Sequence, residues 1–166
     1  MVAQLINLEC MSLKTALQIF QEGGDEQADI PRIVRLLENS ASPIALPGKI
    51  DLFNHDCLHI LFERGISSCD EAFILGVTFG SHPGFNYFHQ AIFDYFSRFL
   101  YPHPYRFTLE HLKMLKLAFS YARKRKFPNF SQIDFRAIDF QESTIANLRI
   151  GLGIQQNDLT YLNFSD

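Results

Sequence analysis

The stretch FNYFHQAIFDYFSRFLY, residues 85–101, restricts this chain more than any other. Eight of its 17 residues are Phe or Tyr. At about 100° per residue they fall on nearly every side of a helix. A helix apolar all round needs cover all round, so this one is expected at the centre of the molecule or as a wall of an apolar cavity. Pro102 and Pro104 bound it. Asp94 within it would need a partner, and Arg98, four residues on, is the expected one. His89 reads as a core histidine satisfied by its neighbours.

Helical spacing dominates elsewhere too. Leu13, Leu17 and Phe20 share a face in residues 12–22, which stop at Gly23-Gly24. Pro31 suits the first turn of a helix capped by Asp29 and running to about Ser40. SASPIALPGK, 40–49, is a loop. A helix follows over about 51–64, ending at Gly65. Ser67 or Ser68 caps the next, which carries Asp70 and Glu71 in its first turn and ends near Gly80. Thr108 caps a long helix to about Lys126, and a last one covers 141–150. DFRAIDF, 134–140, is the one candidate extended piece. The class is all-α: a single compact helical domain over 1–166, of about six to seven helices.

Composition agrees. Of 166 residues, 17 are Phe and none is Trp, which supplies a large aromatic interior. A net charge of −3 sets up no global basic field, so nucleic acid is not an expected partner. Cys10, Cys57 and Cys69 sit at no zinc-finger spacing and read as reduced thiols in a cytoplasmic protein. The start, MVAQLINLEC, lacks a secretory pattern, and no apolar run is long enough to span a membrane. The segment LKMLKLAFSYARKRKF, 112–127, ends in Arg123, Lys124, Arg125 and Lys126 and could rest on an anionic membrane surface, although cations at a helix C-terminus are ordinary.

The chemistry lies in HDCLHILFERGISSCDE, 55–71. On a helical wheel His59 falls about 40° from His55, and Asp56 about 100° from it. Two imidazoles at i and i+4 can converge on one ion. A hairpin over 50–80 could swing Glu71 back to the same ion. Two neutral histidines with two carboxylates suit Zn²⁺, Fe²⁺ or Mn²⁺. Asp51 and Glu63 extend the stripe of His55 and His59, so a solvated helix face remains open, and Glu63 competes with Glu71. Cys57 faces the apolar side and is not expected to be a ligand, nor is Cys69.

HDCLH, eleven residues, then Glu71 resembles the His-Asp-x-x-His-x11-Glu signature of the coenzyme Q biosynthesis protein 4 family. IALPGKIDLF, 45–53, is similar to that family's approach to its motif helix. ANLRIGLGI, 146–154, resembles its closing helix. The likeness spans roughly 40–154 and is sharp at 55–71. Asp70 stands where the family usually has glycine, and the chain is shorter than typical members.

The resemblance implies a divalent metal, zinc first, on His55, Asp56, His59 and Glu71. It implies a prenylated aromatic or isoprenoid ligand, for which Gly76, Gly80, Phe85 and Phe88 are candidate contacts. Its tail would lie between 74–80 and 85–100. The activity implied, if there is one, is a metal-dependent (oxidative) decarboxylation at the C1 carboxyl of a prenylated hydroxybenzoate. No catalytic residue is assigned. The alternatives are a scaffold or lipid-binding module with a structural metal, and a metal-free interaction domain. Expected partners are that small molecule, a membrane surface, and a second copy or other quinone-biosynthesis proteins. HD phosphohydrolases share the His-Asp pair but need an upstream histidine, and none precedes His55. As a version of the HExxH protease motif, HDCLH has a carboxylate one methylene short.

Overall fold

The computed structural model describes residues 8–23, 46–101 and 106–161. The helix expected from Asp29 and Pro31 to Ser40, the start of the 40–49 loop, and Pro102 and Pro104 lie outside them. Among the described residues the chain forms eight α-helices and no strand, one helical domain around one core.

The first helix, α1 (Leu13–Gly23), buries Leu13, Ala16 and Leu17. Next comes α2 (Leu52–Leu61), whose N-cap Asp51 accepts from the amide of Asn54. Ser67 caps α3 (Ser68–Ser81) by accepting from the Asp70 amide, which leaves Glu71 one turn into the helix. Both helices begin where short polar side chains satisfy their first amides, and for α3 the sequence predicts that cap.

The end of α2 differs from expectation. The helix stops at Leu61, and the left-handed position is taken by Glu63 at φ 52° rather than by Gly65. A non-glycine residue there is uncommon. It is held by Arg149, a buried side chain from far along the chain. Its Nε donates to the carbonyl of Leu61 at 2.9 Å, and its Nη2 meets Glu63 Oε1 at 2.9 Å.

α3 packs along α5 (Leu109–Arg125), and two glycines set the distance. A Cβ at Gly76 would lie 2.5 Å from the Leu115 carbonyl oxygen, and one at Gly80 would lie 2.5 Å from that of Phe119. The backbones are therefore close, with only the methyl groups of Ala118 and Ala122 set against the two glycines. Thr108 caps α5, and its apolar face, Leu112, Met114, Leu115, Ala118, Phe119 and Ala122, is buried in the core. The apolar residues expected to rest 112–127 on a membrane are thus spent on the interior.

Between them in sequence is α4 (Tyr87–Tyr95), capped by Asn86 and prolonged by a π-helical turn, Phe96–Leu100. It is not central. Phe85 and Phe93 turn inward and meet Phe79, Phe85 in a stack at 4.3 Å and Phe93 edge-on at 5.1 Å. Tyr87, Phe88, Tyr95 and Phe99 are exposed. Its inward residues pack on Phe79 of α3, and the opposite face is exposed. Asp94 pairs with Lys116, at 2.8 Å, instead of with Arg98. His89 accepts the Asn86 amide as part of the α4 cap and is not a core residue.

The expected extended piece at 134–140 is turn and helix. Phe135 is buried, its amide donating to Asn54 Oδ1 at 2.9 Å, and α6 (Ile138–Glu142) follows. Thr144 then caps α7 (Ile145–Leu152), so the helix expected over 141–150 is two helices divided at Ser143. The short α8 (Gln156–Leu159) is clamped to α5 through Asp158. That carboxylate accepts from Tyr121 and from Arg125 Nε at 2.8 Å.

Candidate metal centre

α2 and α3 bring three polar side chains of the motif to one point. His55 and His59 lie one turn apart on α2, and both are buried. Their Nε2 atoms are 3.0 Å apart. Glu71, half-buried at the start of α3, places Oε2 at 3.0 Å from His55 Nε2 and Oε1 at 3.4 Å from His59 Nε2. These three groups could hold a metal ion. Donors on a tetrahedral zinc with bonds of about 2.0–2.1 Å are roughly 3.3 Å apart, so the observed separations fit.

The outer face of His59 is also committed. Its Nδ1–H donates to the Gly65 carbonyl at 2.7 Å, in the turn between α2 and α3. A neutral imidazole protonated at Nδ1 presents a bare lone pair at Nε2, and that is the atom aimed at His55 and Glu71. Metal-binding histidines are commonly fixed by such a bond.

Electrostatics support an ionised carboxylate here. Burial alone would raise the pKa of Glu71, but the His55 and His59 rings set against its oxygens outweigh it and hold the group well below the usual carboxylate range. Asp56 behaves differently. Burial raises its pKa despite a bond from Gln21 Nε2, 3.4 Å from Oδ2. Its carboxylate feels His55, His59 and Glu71 electrostatically but stands outside the converging group.

The ends of the histidine stripe, Asp51 and Glu63, are exposed, and each is paired, while His55 and His59 between them are buried. Asp51 takes two bonds from Arg136, the shorter 2.7 Å. Glu63, the competitor of Glu71, is held by Arg149. An arginine occupies each end, and the middle of the stripe is left to the histidines. Cys57 is buried in the core, which pushes its thiol up to about 12, and neither it nor Cys69 belongs to the converging group.

The four candidate ligand contacts do not meet at this centre. Gly76 and Gly80 are pressed on α5, Phe85 is buried under α4, and Phe88 is on the surface. A groove of about 350 Å³ instead opens beside the centre, between α1 and α2. Ala16, Ile19 and Phe20 form one wall, and His59, Ile60 and Arg64 contribute to the other. Its link to the centre is His59, whose ring lies 5.7 Å from that of Phe20. Nothing in the sequence marked the groove, because α1 and the motif meet only in three dimensions.

Compared with known proteins, the chain matches no family model, no curated protein and no solved structure.

Proposed function

We propose that this chain is a divalent-metal protein, zinc first, that presents the ion to an apolar, oxygen-bearing ligand, as the resemblance to the coenzyme Q biosynthesis protein 4 family implies. The observation that carries the reading is the convergence of His55 Nε2, His59 Nε2 and Glu71, with His59 Nδ1 engaged by Gly65. His55, His59 and Glu71 would hold the ion, with Asp56 beside them. Three protein donors leave a tetrahedral ion one position open, which favours a reactive role over a closed structural one.

Such an ion supplies Lewis acidity toward a carboxyl or phenol oxygen. The chain's own residues do the rest. Phe20, Ile19 and Ile60 offer an apolar bed for a tail and exclude water from it. His59 joins bed and centre. Asp56, bonded by Gln21 beside the centre, is placed to accept a hydrogen bond from a bound head group. In this reading the ligand is a prenylated aromatic or isoprenoid lipid, and the reaction, where there is one, is loss of a C1 carboxyl group. The tail lies between α1 and α2 rather than between 74–80 and 85–100.

A second reading, a structural metal, draws on the fact that Glu71 comes from α3 and the histidines from α2, so an ion would pin the hairpin. The two separate by thermal shift. Prenylated phenols of increasing chain length should raise the melting temperature of the metal-loaded protein progressively, and Ile19→Glu, in the groove, should abolish the rise while leaving metal content intact. A metal-loaded protein indifferent to every such ligand supports the structural reading.

A further inference from the structure

Tyr87, Phe88, Tyr95 and Phe99 project from α4 and its π-helical turn with between 53% and 81% of their surface exposed. Phe88, Tyr95 and Phe99 recur at spacings of seven and four, so they form a stripe along one helix face. Leu100 extends it. Phe107, whose amide donates to the Ser97 carbonyl at 3.0 Å, brings the exposed Leu109 beside the same turn. Isolated exposed apolar residues are ordinary, but a continuous aromatic stripe marks a surface that meets something.

The charge around it says what. Residues 87–126 contain eight Lys and Arg against two acids, Asp94 and Glu110, in a chain with 15 basic and 18 acidic residues overall. The positive surplus of six therefore sits in this unit, and the remainder is strongly acidic. Arg98 borders the stripe directly, whereas Arg125 is paired with Asp158. The Arg98 guanidinium lies 5.2 Å over the Phe99 ring, Lys116 reaches Asp94, and Arg123 donates to the Phe85 carbonyl at the root of α4.

We propose that the α4 face docks on an anionic lipid surface, with the aromatic stripe at the level of the head groups and the flanking cations on lipid phosphates. Interfacial helices combine these two features, and Tyr and Phe suit a boundary that is apolar on one side and wet on the other. A second copy of the chain fits less well, because a two-fold contact would set this basic surface against itself. Nucleic acid fits less well because the chain carries a net charge of −3 and the exposed aliphatic Leu100 beside the stripe suits hydrocarbon rather than bases. The inference deepens the reading above by placing the source of an apolar ligand against the protein. It needs no ion at His55, so its test is run with and without a chelator and can fail without touching the metal reading.

The test is co-sedimentation of the full chain with phosphatidylcholine vesicles, alone or mixed with phosphatidylglycerol. Binding to the mixed vesicles is expected, weaker at high salt, with little binding to the neutral ones. Combined Phe88→Ser, Tyr95→Ser and Phe99→Ser should weaken it at least about tenfold with unchanged far-UV circular dichroism. Arg98→Glu, a surface change that spares the core, should lower the preference for the anionic vesicles even if the triple variant does not fold. The proposal is overturned if the wild-type chain stays in solution with both vesicle types, or if both variants bind like wild type. It is also overturned if the stripe serves only to form a dimer that the triple variant dissolves.

Discussion

His59 Nδ1 lies 2.7 Å from the carbonyl oxygen of Gly65, and this bond ties the orientation of an imidazole to the path of the chain after α2. That path is in turn gripped by Arg149, through the carbonyls of Leu61 and Ile60 and the carboxylate of Glu63. Arg149 is thus a positioning residue that acts on His59 through the turn.

Arg149→Lys keeps the charge but loses the fork that spans carbonyl and carboxylate. Metal affinity should fall by about 10-fold or more, in the range seen when the support of a ligand is removed. In the metal-free protein, nitrogen NMR of His59 should show the proton at Nδ1 in wild type and a mixture of tautomers in the variant. Loss of thermal stability with affinity and tautomer unchanged would make Arg149 a packing residue only.

The glycine seam gives a second prediction. Gly76→Ala and Gly80→Ala should each destabilise the fold by about 1–3 kcal/mol, since a Cβ at either site meets backbone that cannot move alone. Gly80→Leu should cost more. Chemical denaturation measures both, and a variant as stable as wild type would show that α3 and α5 can separate freely.

Much of this was legible in the sequence, and the illegible parts share a cause. Ser67 and Thr108 cap their helices as expected because capping is a local reaction of a side chain with amides two or three residues away. His55, His59 and Glu71 could be grouped because i, i+4 spacing and a short turn are also local. The Arg149–Glu63 pair joins residues 86 positions apart, and it moved the left-handed residue from Gly65 to Glu63. The composition of α4 shows how much apolar surface it carries but not how much of it other elements will cover. The groove at Phe20 was hidden for the same reason.

Acid should act through Asp158. Burial opposes ionisation there, but Arg125, Tyr121 and the Gln155 amide outweigh it and lower the pKa below its ordinary value. A lowered carboxylate stabilises the fold fully above its unfolded pKa of about 3.9 and loses that contribution as pH falls through the folded value. Asp158→Asn should therefore reduce stability at neutral pH and flatten the decline below about pH 4. Parallel acid limbs for the two proteins would contradict this.

Thiol reactivity should be graded. Cys10 is exposed and should react with a maleimide at pH 8 within the ordinary time for a free thiol, whereas Cys57, buried and pushed up to about 12, should react only on unfolding. The sign for stability is that of a raised acid: the contribution is intact below about pH 8.5 and is lost as pH rises toward about 12. Labelling of Cys57 as fast as that of Cys10 in the folded protein would be inconsistent with its burial.

The central claim is an ion on His55, His59 and Glu71, and elemental analysis of the zinc-loaded, desalted protein with its His59→Ala, Glu71→Ala and Glu63→Ala variants tests it most directly. The account predicts about one zinc per chain in wild type and in Glu63→Ala, with most of it lost from His59→Ala and Glu71→Ala. A wild-type chain without zinc, or full occupancy in His59→Ala and Glu71→Ala, would contradict it.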